Sequence, residues 1–286
     1  MAQWRTGYQR PDEDLITALA QEAFASAGES GDPTDWHRVE HGSATLVLLC
    51  GRTAVRIARD RPAAAGLRRV QRLVDALPEL PFQVPRSRGQ IIERDGHVAA
   101  ATERIEGTPH PAGSGDPHLL RELLETIHSL PVQPLLPHLA PARAFIGGPG
   151  WQAVLTEQVL PLLAAEARSE AARRIDALAA LPRVSGVVNH GDLAGNNVLW
   201  SHGRVVGVLD WDLAAVEDPA EDVASLASWH GWDLVEQLAD AETVARAQVF
   251  RHTFALQALA FAALQERPAE EVKRMVKRVE RRLHSH

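Results

Sequence analysis

Hydrophobic and polar positions change rhythm several times along this chain, and each change marks an element. From Pro11 to Ala27 the apolar residues Leu15, Ile16, Leu19 and Phe24 recur at helical spacing, until Gly28-Glu-Ser-Gly-Asp-Pro33 breaks the run. The pattern then turns β-like. Thr45–Cys50 and Thr53–Ala58, joined at Gly51-Arg52, read as a hairpin. Pro62–Leu77 returns to the helical period through Leu67, Val70, Leu73, Val74 and Leu77, and Pro78 stops it. Ile91-Ile92, the turn Asp95-Gly96 and the stretch His97–Ile105 predict two more strands.

The strongest punctuation is Gly107-Thr-Pro-His-Pro111 followed by Gly113-Ser-Gly-Asp-Pro117. Beyond it helices dominate, over 117–129, about 150–180, 219–228, 232–263 with a break, and 268–283. One unit interrupts them. Val187-Val188, Val198-Leu-Trp200 and Val205–Leu209 form strand, loop, strand, turn, strand. The predicted class is α+β: a sheet-bearing unit over 1–105, a mainly helical unit over 106–286, and a hinge about 103–111.

Composition narrows what such a chain can do. Its 286 residues, 45% of them hydrophobic, suffice for a sizeable core. Thirty basic against 37 acidic residues give a net charge of −7, which argues against a nucleic-acid binder. A single cysteine, Cys50, excludes an internal disulfide framework and a Cys-rich zinc site. No apolar run reaches the length of a membrane span, and no signal core follows Met1, so the expectation is a cytoplasmic protein without a membrane partner. A monomer or weak homodimer is expected. Only two lysines occur, Lys273 and Lys277, so nothing before them can do lysine chemistry.

The strand unit carries the chemistry. It reads Val188-Asn-His190-Gly-Asp192-Leu-Ala-Gly-Asn-Asn197-Val-Leu-Trp200, then Gly207-Val-Leu-Asp210-Trp-Asp212. Asn197 and Asp210 offer the hard oxygens that Mg²⁺ prefers, with phosphates completing its shell. Asp192 stays free to accept a proton from an attacking hydroxyl, and phosphoryl transfer needs that division of labour.

His-x-Asp-x-x-x-x-Asn with Asp210 and Asp218-Pro-Ala-Glu-Asp222 behind it resembles the aminoglycoside phosphotransferase family, antibiotic kinases of protein-kinase-like fold. These strings and Arg251-His-Thr-Phe-Ala-Leu-Gln257 are most similar to its viomycin/capreomycin branch. The resemblance implies a bilobal fold with a small antiparallel-sheet N-lobe and a helical C-lobe. It implies Asp192 as catalytic base, Asn197 and Asp210 as Mg²⁺ ligands, His190 as the motif histidine with a structural role favoured over a reactive one, and Asp222 as a brace for the catalytic loop. It implies ATP or GTP as donor, with Glu103 and Ile105 in the hinge that meets the purine and Ser43 in the short turn at His41–Ala44.

One departure is clear. The fold normally sets a lysine on its third strand, paired with a glutamate on the next helix. Here that strand offers Arg56, with Arg59 as the second choice for the phosphate contact, and helix 62–77 holds Asp75 as its only acid. The cationic small-molecule substrate is expected to meet Asp212, Glu217, Trp229 and Trp232, since acids and aromatic faces both attract cations. Asp212 is equally open to a supporting role behind the metal ligands. Aminoglycosides, tuberactinomycin peptides and macrolides all fit, as does an endogenous metabolite. A non-catalytic nucleotide-binding module is the reading of another kind, which the intact base and metal ligands oppose. A protein kinase is disfavoured, because neither Asp-Phe-Gly nor Ala-Pro-Glu is present.

Overall fold

The computed structural model describes residues 11–39, 45–58 and 61–284. Helix α1 (Glu13–Ser26) starts where Asp12 accepts a hydrogen bond from the Leu15 amide at 2.7 Å, and Glu13 and Asp14 suit the positive end of the helix dipole. Strands β1 (His37–Val39), β2 (Thr45–Cys50) and β3 (Thr53–Ala58) follow. Helix α2 (Arg61–Ala76) leads to β4 (Ser87–Arg94) and β5 (His97–Glu103). The strands form one antiparallel sheet in the order β1-β2-β3-β5-β4. Asp95 and Gly96, at φ 52° and 77°, make the tight left-handed turn that joins β4 to β5.

Strand β5 explains how this small sheet holds two helices. Its run Val98-Ala-Ala-Ala101 is fully buried, and period-two alternation sorts it between faces. Ala99 and Ala101 join the core under α1, with Leu19, Ala23 and Phe24. Val98 and Ala100 meet Ala64 and Leu67 of α2. Helix α2 then continues into a second core. Val70, Leu73, Val74 and Leu77 pack with residues of the helical unit, including Leu120, Leu124, Val188 and Trp211. The segment after α2 is pinned as well, since Gln83 exchanges backbone hydrogen bonds with Val206 and Val208, both at 2.9 Å.

Past the sheet, β6 (Thr108–Pro109) precedes α3 (Pro117–His128), which Asp116 caps at the His118 amide, and α4 (Val132–Leu135). The single helix expected over 150–180 is divided. Short α5 (Trp151–Ala153) runs into a wide π turn at Val154–Val159 and a tight one at Leu160–Leu162, before α6 (Ala165–Ala179) begins afresh. Pro161 supplies the physical reason, because it lacks an amide hydrogen and clashes with the preceding turn. Strands β7 (Val187–Asn189), β8 (Val198–Ser201), β9 (Arg204–Val208) and β10 (Ala215–Glu217) pair as β7–β10 and β6–β8–β9. Helices α7 (Ala220–His230), α8 (Val235–Leu238), α9 (Ala241–Leu264) and α10 (Ala269–His284) complete the chain. α9 is a central post, burying Val244, Ala247, Phe250, Leu256, Leu259 and Ala260. Among the described residues no helix is long and apolar enough to cross a membrane.

Candidate active site

The loop between β7 and β8 is held by a buried acid. Asp222, fully enclosed on α7, accepts hydrogen bonds from the His190 amide at 2.8 Å and the Gly191 amide at 2.9 Å. His128 on α3 stands 3.4 Å from the same carboxylate. Gly191 turns at φ 83°, and a Cβ there would meet Leu213 at 2.9 Å, so the sharp turn excludes a side chain. His190 is completely buried against the edge of Trp211, with ring centroids 4.8 Å apart. Its Nδ1 accepts from the Asp192 amide at 3.2 Å, which leaves Nε2 to donate to the Leu209 carbonyl at 2.8 Å. Both ring nitrogens of His190 are thus engaged by backbone groups, an arrangement that suits a scaffold role.

These contacts deliver Asp192 to the edge of a cavity of about 520 Å³. The Asn197 carboxamide nitrogen donates to the Asp192 carbonyl at 2.9 Å and to Oδ2 at 3.0 Å. Burial raises the Asp192 pKa, with the nearby Asp222 charge adding to it, while His190 and Asn197 pull the other way.

Asp210 ends the stretch after β9 in a left-handed conformation, φ 61° and ψ 59°, uncommon for a residue with a Cβ. The Leu209 amide donates to the Asn197 carbonyl at 2.8 Å, which sets the two loops side by side. The Asp210 side chain is 49% exposed and lines the cavity. Desolvation and the neighbouring Asp212 carboxylate push the Asp210 pKa well up, opposed by the positive charge of Arg56. Asp212 goes the other way. Burial works against its charge, yet Arg56, with help from Arg69, holds its carboxyl below the usual range. Arg56 Nη2 lies 2.6 Å from Asp212 and 3.6 Å from Asp210. Asp212 is thereby tied to a cation of the protein itself, although it still borders the cavity.

The donor set suits Mg²⁺. Asn197 uses only its amide nitrogen in the contacts above, so its Oδ1 would be left for a cation, and Asp210 presents its carboxylate to the cavity, whose lining does not include Asn197. Among the described residues there is no group of three or more His, Cys, Asp or Glu side chains able to hold a metal. Two hard oxygens without a full protein cage match an ion that completes its shell with phosphates and water.

The cavity wall has two characters. Arg56, Asp192, Asp210 and Asp212 form one part, and Phe145, Trp229, Phe254 and Phe261 form the other. Between these classes Ser225, Gln257 and Glu221 also reach the surface of the cavity. Glu221 is the unexpected member. It is 5% exposed, and burial, then the charge of Glu217, pushes its pKa up to about 8 against the pull of Arg143. Helical spacing held the signal: Phe254, Gln257, Ala258 and Phe261 share one face of α9, and Glu221 precedes the brace Asp222.

Several expected contacts lie elsewhere. Glu217 is not in the cavity lining. It sits on β10, 3.9 Å from Arg143, whose guanidinium stacks 4.5 Å from the Trp151 ring centre. Trp232 is likewise outside, lying 4.4 Å beneath Arg251. Trp229 does line the cavity. Its indole donates to the His110 carbonyl at 2.9 Å and fills the space where any side chain at Gly195 would go. In the hinge, the Glu103 amide donates to the Arg86 carbonyl at 2.8 Å and Ile105 packs over Gly207, and neither residue is in the lining of this cavity. Ser43 and Arg59 lie outside the described residues.

Residues 35–279 match the phosphotransferase enzyme family, APH. The chain belongs to that family. A 125-residue stretch is 38% identical to viomycin phosphotransferase of Streptomyces vinaceus, covering 39% of this chain and 44% of that relative, less than half its length. Among solved structures, the fold is similar to the GDP and kanamycin complex of APH(2")-IIIa, with TM-score 0.75 and 18% identity over 94% of this chain and 98% of that one. It is similar also to macrolide 2'-phosphotransferase MphH from Brachybacterium faecium, with TM-score 0.67 and 20% identity over 96% and 99% of the two chains. These likenesses establish the bilobal kinase-like fold of the family, the α+β class expected from the chain.

Proposed function

We propose that this member of the family is a cytoplasmic O-phosphotransferase that moves the γ-phosphate of ATP or GTP to a hydroxyl of a cationic antibiotic of the aminoglycoside or tuberactinomycin type. The observation that carries the reading is the meeting of Asp192, Asp210 and Arg56 at one cavity that also exposes the buried acid Glu221. The nucleotide belongs with the lobe ending near residue 105, and the acceptor with 106–286, on either side of the hinge at 103–111. Neither nucleic acid nor membrane enters the reading, and one chain or a weak pair suffices.

Asp192 accepts the proton of the acceptor hydroxyl and orients its oxygen toward the phosphate. Asn197 holds the Asp192 carboxylate in place through its amide nitrogen. The raised pKa of Asp192 makes it a better proton acceptor than an exposed aspartate. Arg56 neutralises phosphate charge from the β3 side, as a permanently charged fork. Asn197 and Asp210 would hold Mg²⁺, which when bound supplies charge neutralisation on the phosphates. Glu221 receives a substrate ammonium or guanidinium, and the four aromatic rings cover the carbon skeleton next to it.

Those rings also favour a second reading. An acceptor with one cationic centre and a broad apolar face, as in a macrolide, would use Phe145, Trp229, Phe254 and Phe261 more fully than a sugar polycation. A coupled-enzyme panel of viomycin, capreomycin, kanamycin and erythromycin, each with ATP and GTP, tests both. Turnover with viomycin or kanamycin supports the first reading, turnover with erythromycin alone supports the second, and no turnover with any of them sinks both.

A further inference from the structure

Two arginines from different elements converge on Asp212. From β3, Arg56 donates to its carboxylate at 2.6 Å. From α2, Arg69 donates to its backbone carbonyl at 2.7 Å, and to the His138 carbonyl at 2.9 Å with its other nitrogen. The short helical turn Trp211–Leu213 that follows Asp210 is therefore clasped from the strand and from the helix.

The charges have changed places relative to what a kinase-like fold would carry. Helix α2 supplies a cation, and its one acid, Asp75, is engaged elsewhere. Asp75 accepts from the Ser87 amide at 2.8 Å, the Ser87 hydroxyl at 2.6 Å and Gln71 at 3.1 Å. The anion facing the strand arginine comes from the metal loop. Arg56 has only 14% of its side chain exposed, and a guanidinium so enclosed needs an anion against it. Two carboxylates compete for it, and the nearer is Asp212, at 2.6 Å against 3.6 Å for Asp210. Asp210 shares a side-chain hydrogen bond with Asp212, and its side chain, 49% exposed, still lines the cavity.

We propose that Asp212 is a positioning residue that holds the Arg56 guanidinium beside Asp210 rather than on it, with Arg69 fixing Asp212 in turn. The strand cation is then poised for nucleotide phosphates while the cavity-facing side of Asp210 is kept for a divalent cation. Without Asp212, Arg56 settles on Asp210 and competes with that cation. The proposal rests on the phosphotransferase reading of the site, and deepens it by assigning the anion that replaces the missing helix glutamate.

The test is a double-mutant cycle on binding, which needs no turnover. Wild type, R56M, D212N and R56M/D212N are titrated with ATP and GTP by calorimetry in excess Mg²⁺, and with Mn²⁺ alone by electron paramagnetic resonance. R56M should weaken nucleotide binding about tenfold, the scale of one charge-assisted hydrogen bond. D212N should weaken both nucleotide and Mn²⁺ binding. The double variant should regain wild-type Mn²⁺ affinity and bind nucleotide no worse than R56M. If D212N lowers Mn²⁺ affinity equally with and without Arg56, Asp212 is itself a ligand and the proposal falls. It falls too if D212N changes neither affinity. A wild type that binds neither nucleotide overturns the phosphotransferase reading along with it, whereas nucleotide binding without coupling between Arg56 and Asp212 overturns the proposal alone. Circular dichroism checks folding. Should D212N unfold, R69M must give the same signs at smaller size, vanishing in the R56M background, and its failure to do so counts equally against the proposal.

Discussion

The catalytic loop and the cavity wall facing it are built on opposite terms. In the loop from Asn189 to Asn197, polar groups are spent on one another: His190 on two backbone groups, Asp222 on two amides, Asn197 on Asp192. Across the cavity, Glu221 is buried, and burial, then the charge of Glu217, raises its pKa against the pull of Arg143. The first region is tied down by these bonds, with the buried Asn189 carboxamide oxygen left over. The second holds an acid whose charged form burial disfavours, and a cationic ligand would offset that cost.

The contrast can be broken most sharply at Asp192. D192N should cut kcat by about 10²–10⁴-fold with little change in nucleotide affinity, since a general base is lost without loss of volume. Equal losses in kcat and nucleotide affinity would place Asp192 in binding instead. Next comes the brace. D222A leaves the His190 and Gly191 amides without acceptors and should cost about 2–5 kcal/mol in urea denaturation. A loss within experimental error would show that the loop does not depend on Asp222.

Glu221 sharpens the other side of the comparison. With its folded pKa near 8, above the 4.5 of a free glutamate, the folded state binds the proton more tightly than the unfolded chain does. Its contribution to stability is therefore full below the unfolded value and is lost as pH rises toward 8. The Tm of E221Q should gain on wild type between pH 5 and pH 8. A cationic acceptor would also expel that proton, so calorimetry at pH 7 in buffers of differing ionisation enthalpy should show proton release on antibiotic binding. E221Q should show none, with antibiotic KM raised about tenfold. The smallest expected effect separates two tryptophans. W229A should raise antibiotic KM about tenfold through the lost aromatic face, while W232A, outside the cavity, should change it less than about twofold. Equal effects would erase the distinction between them.

The same two regions differ in how far the chain announces them. Asp192, Asn197 and Asp210 stand within one strand–loop–strand unit, where spacing along the backbone nearly dictates spacing in space. The Arg56–Asp212 pair joins residues 156 apart, and only packing brings them together. The strand and the candidate arginine were legible, but which carboxylate would take it was not. Glu217 and Glu221 illustrate the limit within four residues. Both are acids near the motif, but Glu217 on β10 turns to Arg143, and Glu221, the second residue of α7, faces the cavity. The element each acid sits on and the side it faces decide the role, and a charge pattern does not resolve that. Trp232 lies outside this cavity under Arg251, and the chain alone does not tell these uses apart, since an indole serves a substrate or a stacked arginine equally well. The break of the 150–180 helix was written plainly in Pro161.

A guanidinium on β3 has a pharmacological consequence. Many reagents that tag nucleotide pockets react with an uncharged amine close to the phosphates, and an arginine kept protonated by two aspartates does not supply one. The only amines on side chains of this protein, Lys273 and Lys277, stand on α10. Acylating nucleotide probes should therefore leave the cleft unlabelled, and covalent inhibitors for it would have to seek carboxylates instead.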